Sequence, residues 1–582
     1  GAVESTVLEV LVRHLRKRRE KTKHRGAVTQ LVEDDQLWCD CTIDLHDAVL
    51  TEIANFRGAT FTNANFRGAT FTNANFQDAT FTNANFQGAT FTNANFQGAT
   101  FTNANFQGAT FTNANFQGAT FNHNANFWDA TFTNDANFQG ATFTNANFWD
   151  ATFTNANFGG ATFTNDANFQ DATFTNDANF QGATFTNANF WDATFTNADF
   201  RGATFTHDAY FRGATFTHDA NFWGATFNHA YFWGATFTNN ADFQDATFTN
   251  ANFRDATFTN DADFGGATFT NNADFGGATF TNANFRDATF TNDAHFGGAT
   301  FTNANFERAT FTNNAHFGGA TFTNNAHFGG ATFTNNAHFG GATFTNNAHF
   351  GGATFTNNAH FGDATFTNNA HFGDATFTNN AHFGDATFTH DANFRGATFT
   401  NNANFGDATF TNNANFGDAT FTNAHFGGAT FTNDAHFGGA TFTNDAHFGD
   451  ATFTNNADFG DATFTNADFW SATFTNADFR GATFKRDADF RGATFKRDAD
   501  FRGATFKRDA DFRGATFNHN ANFGGATFNR YADFEGATFS RSAPPMGLPP
   551  GWVDEDGLPH GARWADADDE GLEAGSPDDA PR

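Results

Sequence analysis

The sequence predicts an all-β solenoid, a chain wound into a square coil with a short N-terminal helix and an irregular C-terminal tail. Three observations predict it. Phenylalanine recurs every five or six residues from Ala54 to about Ser540, contributing 92 of 582 residues. The unit is Ala-x-Phe-x-x, and units alternate in pairs of ten or eleven residues, as in ANFRG-ATFTN. Within Ala59-Thr60-Phe61-Thr62-Asn63, Ala and Phe fall on one side and the threonines on the other, the alternation of a strand with one buried face.

Five residues are too few for a strand plus a long loop, but they suit one short extended side and a corner. Four such sides close a coil of about twenty residues, and coils stack at the ~4.8 Å spacing of neighbouring strands. Burying one Phe contributes about 2–3 kcal/mol, while ordering five residues costs roughly 1.5 kcal/mol each. A lone unit is therefore unstable, and the array must be long. Residues 54–540 correspond to roughly 23 coils, a rod of about 110 Å. The strict phase of Phe with Ala argues against a disordered Phe-Gly segment, and the β-rich units make aggregation the more serious hazard.

Residues 1–36 form the first segment. Its helix is expected over residues 4–25, with Val7, Leu8, Leu11 and Leu15 on one face. Arg13, Arg16, Lys17, Arg18, Arg19, Lys21 and Lys23 crowd its second half, which suits the helix dipole or, in a sharper reading, a membrane surface or acidic partner. Cys39 and Cys41 are expected to be ordinary, partly buried thiols. The repeats occupy 37–540, opening with aliphatic units at Ile43-Asp44-Leu45 and Ala48-Val49-Leu50. The segment 541–582 is Pro-rich, then acidic. SAPPMGLPPG is expected not to join a ladder, because its prolines lack the donor, and the remainder is expected to be disordered. Trp552 and Trp564 are candidates to cover the last rung.

The A-x-F-x-x repeat resembles the pentapeptide-repeat family, whose motif is A(D/N)(L/F)xx. That resemblance implies a right-handed quadrilateral β-helix in which Phe56, Phe61, Phe66 and Phe71 point to the axis. Ala54, Ala59, Ala64 and Ala69 then fill the space beside them. Many units carry an extra Asn or Asp, as at Asn314, and the expectation is a bulged corner in the left-handed conformation.

Nothing in the sequence points to catalysis, a cofactor or a metal: no nucleophile accompanies a base, and a convex tube is expected to offer no cleft. The ATFTN unit barely varies, whereas its partner does, so recognition is expected on the partner faces. Trp128, Trp149, Trp191, Trp223, Trp233 and Trp470 follow a core Phe and are either interface anchors or corner shields. His316, His327, His338, His349, His360, His371 and His382 recur every eleven residues and are expected to stack in two ladders. They read first as a solvated row and second as a pH-sensitive one. Lys485, Arg486, Lys496, Arg497, Lys507 and Arg508, with Arg480, Arg491, Arg502 and Arg513, form the one strongly basic zone of the repeats. Interleaved Asp residues suggest mutual pairing first and an anionic partner second. Outward Thr-x-Thr ranks resemble those of ice-binding proteins.

Net charge is −31, of which about −22 falls on the repeats. Bulk nucleic-acid binding is therefore disfavoured. The expected function is a non-catalytic scaffold or protein-binding rod with no small-molecule substrate. The family resemblance adds a second reading, a duplex-DNA mimic that binds DNA gyrase. About one charge per rung is sparse beside the one per ~1.7 Å of duplex DNA. A cytoplasmic location is expected, with a membrane tether conceivable only through a segment upstream of Gly1.

Overall fold

The computed structural model describes residues 2–15, Trp38, 41–51 and 53–565. The chain divides into two units, Gly1–Asn292 and Asp293–Arg582. Each is a stack of short parallel strands. In the first, Thr60–Thr62 pairs with Thr80–Thr82, setting Phe61 opposite Phe81, and Thr70–Thr72 pairs with Thr90–Thr92. The Asn-bearing sides join through bridges Asn55↔Asn75 and Asn65↔Asn85. Four sides thus complete one coil. In the second unit Thr310–Phe311 pairs with Thr332–Phe333, and Ala315–His316 with Ala337–His338.

Alternation places every Phe of the motif inward. Phe61 stacks on Phe81 with centroids 5.0 Å apart and planes 5° apart, and Phe333 on Phe355 at 4.8 Å and 1°. Within a coil, successive rings meet edge to face, as Phe56 and Phe61 do at 5.5 Å and 70°. Such contacts contribute about 0.5–1.5 kcal/mol beyond the burial itself. Leu45 and Leu50 hold these inward positions in the opening units: Asp44 bridges Asn65, and Leu50 lies opposite Phe71.

The two corner types differ. After Phe-x, the chain turns through Gly58 at φ 69° or Asp78 at φ 57°, closed by Ala59 N–H donating to the Phe56 carbonyl. Positive φ at the third turn residue explains why that position is almost always Gly or Asp. The Thr-Asn corner departs from expectation. Left-handed residues occur there at Asn63, Asn73, Asn83, Asn93, Asn103 and Asn113, in units without an insert, and at His123 and Asn134. Among the described residues, later corners of this type have no left-handed residue. The extra residue is instead absorbed as a bulge, seen where Phe143 and Ala146 lie opposite Phe163 and Ala167. Inserts stacked on inserts run residue for residue, as Asn314 and Asn336 do.

The ends correct three further expectations. The helix is Ala2–Leu15, and Leu8 and Leu15 are buried but Val7 is exposed. Trp38 stacks on His14 at 4.4 Å. The basic run Arg16–Lys23 and Cys39 lie outside the described residues, and Cys41 is exposed rather than partly buried. At the other end, the chain is ordered well past Arg541. Met546 enters the ladder, its N–H donating to the Ala521 carbonyl and its carbonyl accepting from Phe523 N–H. It can do so because Met546, unlike its proline neighbours, has a donor. Gly547 turns there at φ 77°, and a Cβ would lie 2.4 Å from the Gly524 nitrogen. Trp552 then packs on Phe528 at 5.1 Å, and Arg563–Trp564 pairs with Thr538–Phe539, setting Trp564 on Phe539. The expected disorder is thus absent from 541–565, and residues beyond Ala565 lie outside the described set. Among the described residues no helix is long and apolar enough to cross a membrane.

Replacing one mid-array ring, Phe185→Ala, should cost about 3–5 kcal/mol. Because each coil contacts only its neighbours, hydrogen–deuterium exchange should accelerate on the flanking rungs and stay unchanged several coils away. A uniform loss of protection would contradict this architecture.

Candidate functional site

With Phe and Ala committed to the interior, chemistry is left to outward columns of residues one coil apart. On one Asn-bearing side of the first unit, Trp128, Trp149, Gln170, Trp191, Arg212, Trp233 and Arg254 form such a column. The backbone fixes it: Asp129 N–H donates to the Trp149 carbonyl, Asp150 to Gln170, Asp171 to Trp191, Asp192 to Arg212 and Gly213 to Trp233. Trp223 belongs to the other Asn-bearing side, its carbonyl accepting from Gly202 N–H, and Trp470 lies in the second unit. These six indoles are between 38% and 49% exposed.

A rung-to-rung contact recurs on both Asn-bearing sides. The residue after Phe reaches the corner Asp of the next coil: Trp149 Nε1 donates to Asp171 at 3.0 Å, Trp223 to Asp245 at 3.3 Å and Trp233 to Asp255 at 3.2 Å. Arg212 finds glycine, Gly234, at that corner. Its guanidinium instead lies between two indoles, 4.8 Å from the Trp191 ring centre and 4.3 Å from that of Trp233.

Beside this sandwich runs an amide ladder. Asn126 donates to Asn105, Asn147 to Asn126, Asn168 to Asn147 and Asn189 to Asn168, at 3.1–3.3 Å. Tyr210 and Tyr231 interrupt it, stacked at 4.9 Å and 12°. The Tyr210 hydroxyl donates to Asp208, which also bonds His229 Nδ1 at 2.9 Å. Burial raises the Tyr210 phenol, and the Asp208 charge adds to it. Ring and ladder bound a groove of about 690 Å³ whose walls include Asn168, Asn189, Trp191, Tyr210, Arg212 and Asp208. The expectation of a tube without a cleft is corrected here: side chains longer than Asn on neighbouring columns build walls above a strip of short amides.

The second unit stacks its histidines in two columns. His316 lies on His338 at 4.8 Å and 6°, and His338 on His360 at 4.9 Å and 9°. His360 and His382 tilt to 59°. The other column holds His327, His349 and His371 at 4.6 and 4.8 Å. The Nδ1 atoms of His316, His327, His338, His349 and His360 are buried without a hydrogen-bond partner. Burial first, and the stacked neighbours second, push His316, His349 and His360 below the ordinary 6.5. The rings cover the glycine after Phe: a Cβ on Gly340 would lie 2.8 Å from His360 Nδ1 and 3.0 Å from His338. This packing explains why the His units read AHFG throughout.

The basic zone is largely self-neutralised. Arg480, Arg491, Arg502 and Arg513 each grip the Asp two residues earlier, Asp478, Asp489, Asp500 and Asp511. Arg491 also reaches Asp511 of the next coil at 3.7 Å, and hydrogen bonding to Asp489 raises its guanidinium pKa. Lys485, Arg486, Lys507 and Arg508 lie at one corner column and Lys496 and Arg497 on another, because Thr483 pairs with Thr505 and Thr494 with Thr516. All six are exposed. The threonine ranks are partly consumed: Thr164, Thr175 and Thr217 hydroxyls donate at 3.3 Å to carbonyls of the preceding coil.

The profile of pentapeptide repeats matches the chain in overlapping segments without a gap from residue 45 to residue 544. The chain belongs to the pentapeptide-repeat family. No curated protein sequence matches it. Two solved structures match part of this chain. HetL of the cyanobacterium Nostoc sp. strain PCC 7120, involved in regulating heterocyst differentiation, is 17% identical over 48% of this chain and 90% of its own, with a TM-score of 0.11. QnrB1, a plasmid-mediated fluoroquinolone resistance protein, is 16% identical over 45% and 88%, with a TM-score of 0.12. Superpositions at that level carry no argument about this chain.

Within this pentapeptide-repeat chain, sequence reasoning singled out the tryptophans but missed Tyr210, Tyr231, Arg212 and Asp208. A signal existed. Two of the three tyrosines replace the motif Asn one coil apart.

Gly340→Gln should overpack the histidine column and cost about 1–3 kcal/mol, measured by chemical denaturation against a Gly88→Asp control at an open corner where Asp is natural. The depressed histidines make a second prediction. A base whose folded pKa is lowered contributes stability fully present above 6.5 and lost as pH falls toward the folded value. Exchange protection over residues 316–382 should therefore decline as pH falls from 7 to about 5.5, and His316→Asn with His338→Asn and His360→Asn should flatten the decline.

Proposed function

We propose that this pentapeptide-repeat protein is a non-catalytic scaffold that binds a protein partner through its outward columns. One observation carries the reading: the inward positions are constant while variation concentrates on the outward residues, and in the first unit Trp128, Trp149, Trp191, Arg212, Trp233 and Arg254 share one exposed column. Large aromatics and Arg at a partly desolvated surface are the usual anchors of protein interfaces. Many Asn side chains elsewhere are engaged in ladders that hold the coils in register.

DNA mimicry with gyrase as target is the second reading, favoured by the charge of −31. Much of that charge is engaged with neighbours: Asp171 with Trp149, Asp166 with Asn187, Asp468 with His447, and Asp500 with Arg502. Engaged carboxylates still carry charge, but they are fewer per length than phosphates on a duplex.

Affinity capture with the intact chain should recover a partner that the Trp149→Gln, Trp191→Gln, Trp233→Gln variant loses, with a drop of more than tenfold in affinity. Retention by that variant, together with loss on removing the charges of Lys485, Arg486, Lys496, Arg497, Lys507 and Arg508, would move the interface to the second unit. A supercoiling assay in which the chain leaves gyrase untouched eliminates mimicry.

A further inference from the structure

The groove beside Tyr210 has three features that together specify a small ligand. Tyr231 covers one face of Tyr210. On the other side lie the rungs of Asn189 and Asn168, whose amides are shorter than a ring, and these rungs supply most of the groove lining. A flat ring placed there continues the aromatic column at the strand spacing of ~4.8 Å.

The second feature is the end of the amide ladder. Asn168 Oδ1 accepts twice, from Gln170 N–H and from Asn189 Nδ2. Asn189 Oδ1 accepts from Trp191 N–H, but the next rung offers Tyr210 in place of an amide. One acceptor site of the ladder therefore faces the groove unused, where an N–H in a flat ring or on its exocyclic amine fits.

The third is Arg212. Its guanidinium carbon lies over two indoles, and Gly234 removes the carboxylate that the next coil supplies elsewhere, as Asp418 does for Arg395 at 3.4 Å. A stacked guanidinium keeps its edge donors for in-plane, bidentate recognition of carboxylate or phosphate. Its volume of about 690 Å³ lies within the range of small-molecule sites.

We propose that the Tyr210–Arg212 groove binds a heteroaromatic anion: a planar ring with an N–H donor and a carboxylate or phosphate. The ring stacks on Tyr210, the N–H meets Asn189 Oδ1, and the anion takes Arg212. Asp208 and Asp166 on the far wall disfavour a second negative group and orient the anion toward Arg212. This goes beyond the scaffold reading and does not depend on it.

The test is isothermal titration of the full chain with indole-3-acetate and with adenosine monophosphate, using indole and acetate as single-feature controls. Saturable binding of at least one of the two anions, with both controls at least tenfold weaker, is the expected result; which anion binds tighter reports carboxylate or phosphate. Tyr210→Asn restores the motif residue, and Gly234→Asp supplies Arg212 with a carboxylate at a corner type where Asp is common, so both variants retain the fold, checked by circular dichroism. Each should weaken binding about tenfold or more, as should Arg212→Gln. Absence of saturable binding by either anion, equal binding of indole, or indifference to Gly234→Asp and Arg212→Gln would overturn the proposal.

Discussion

Two interactions with the same period hold this protein together, and their agreement is the constraint on which everything else rests. Backbone hydrogen bonds between parallel strands require a spacing near 4.8 Å, and the Phe rings stack at 4.6–5.2 Å. Neither has to yield to the other, so identical residues sit on identical residues coil after coil. Any outward side chain inherits that spacing. The asparagine ladders, histidine columns and Trp–Arg sandwich are thus consequences of core register, built from residues that would not find one another by local sequence.

Repetition also makes exceptions informative. A corner glycine is neutral in most coils, where it merely permits a left-handed turn. At Gly234 it leaves Arg212 without a carboxylate, and at Gly340 it makes room for two imidazoles. The same residue type is conformational in one place, electrostatic in another and steric in a third. Its role is set by what stands one coil away.

That dependence marks the limit of what the sequence discloses. The buried positions were legible because period and burial coincide in Phe61, Phe81 and their successors. The corners were not: the same Asn is left-handed at Asn63 but not at Asn145, which meets the extra residue of the adjoining coil through a register slip. The tail misled because its prolines argued against a ladder, while one non-proline, Met546, sufficed to enter it. The groove was hidden for a different reason. Coils vary from 20 to 22 residues, as in Thr60↔Thr80 and Thr120↔Thr142, so Trp191, Arg212 and Trp233 align only after every insert has been counted.

The asparagine ladders have a direction. Each later amide donates to the earlier oxygen, in Asn83 to Asn63, Asn189 to Asn168 and Asn336 to Asn314. An Asp can accept in such a chain but cannot donate, which is why Asp166 is followed by Asn187 and Asp261 by Asn282. Chemical ageing therefore acts unevenly on this molecule. Deamidation of an Asn at the start of a ladder changes little, since its donor has no acceptor beneath it. The same event in mid-ladder sets two oxygens face to face and severs the line of amides at that coil, so the protein's durability is written in the order of its Asn and Asp.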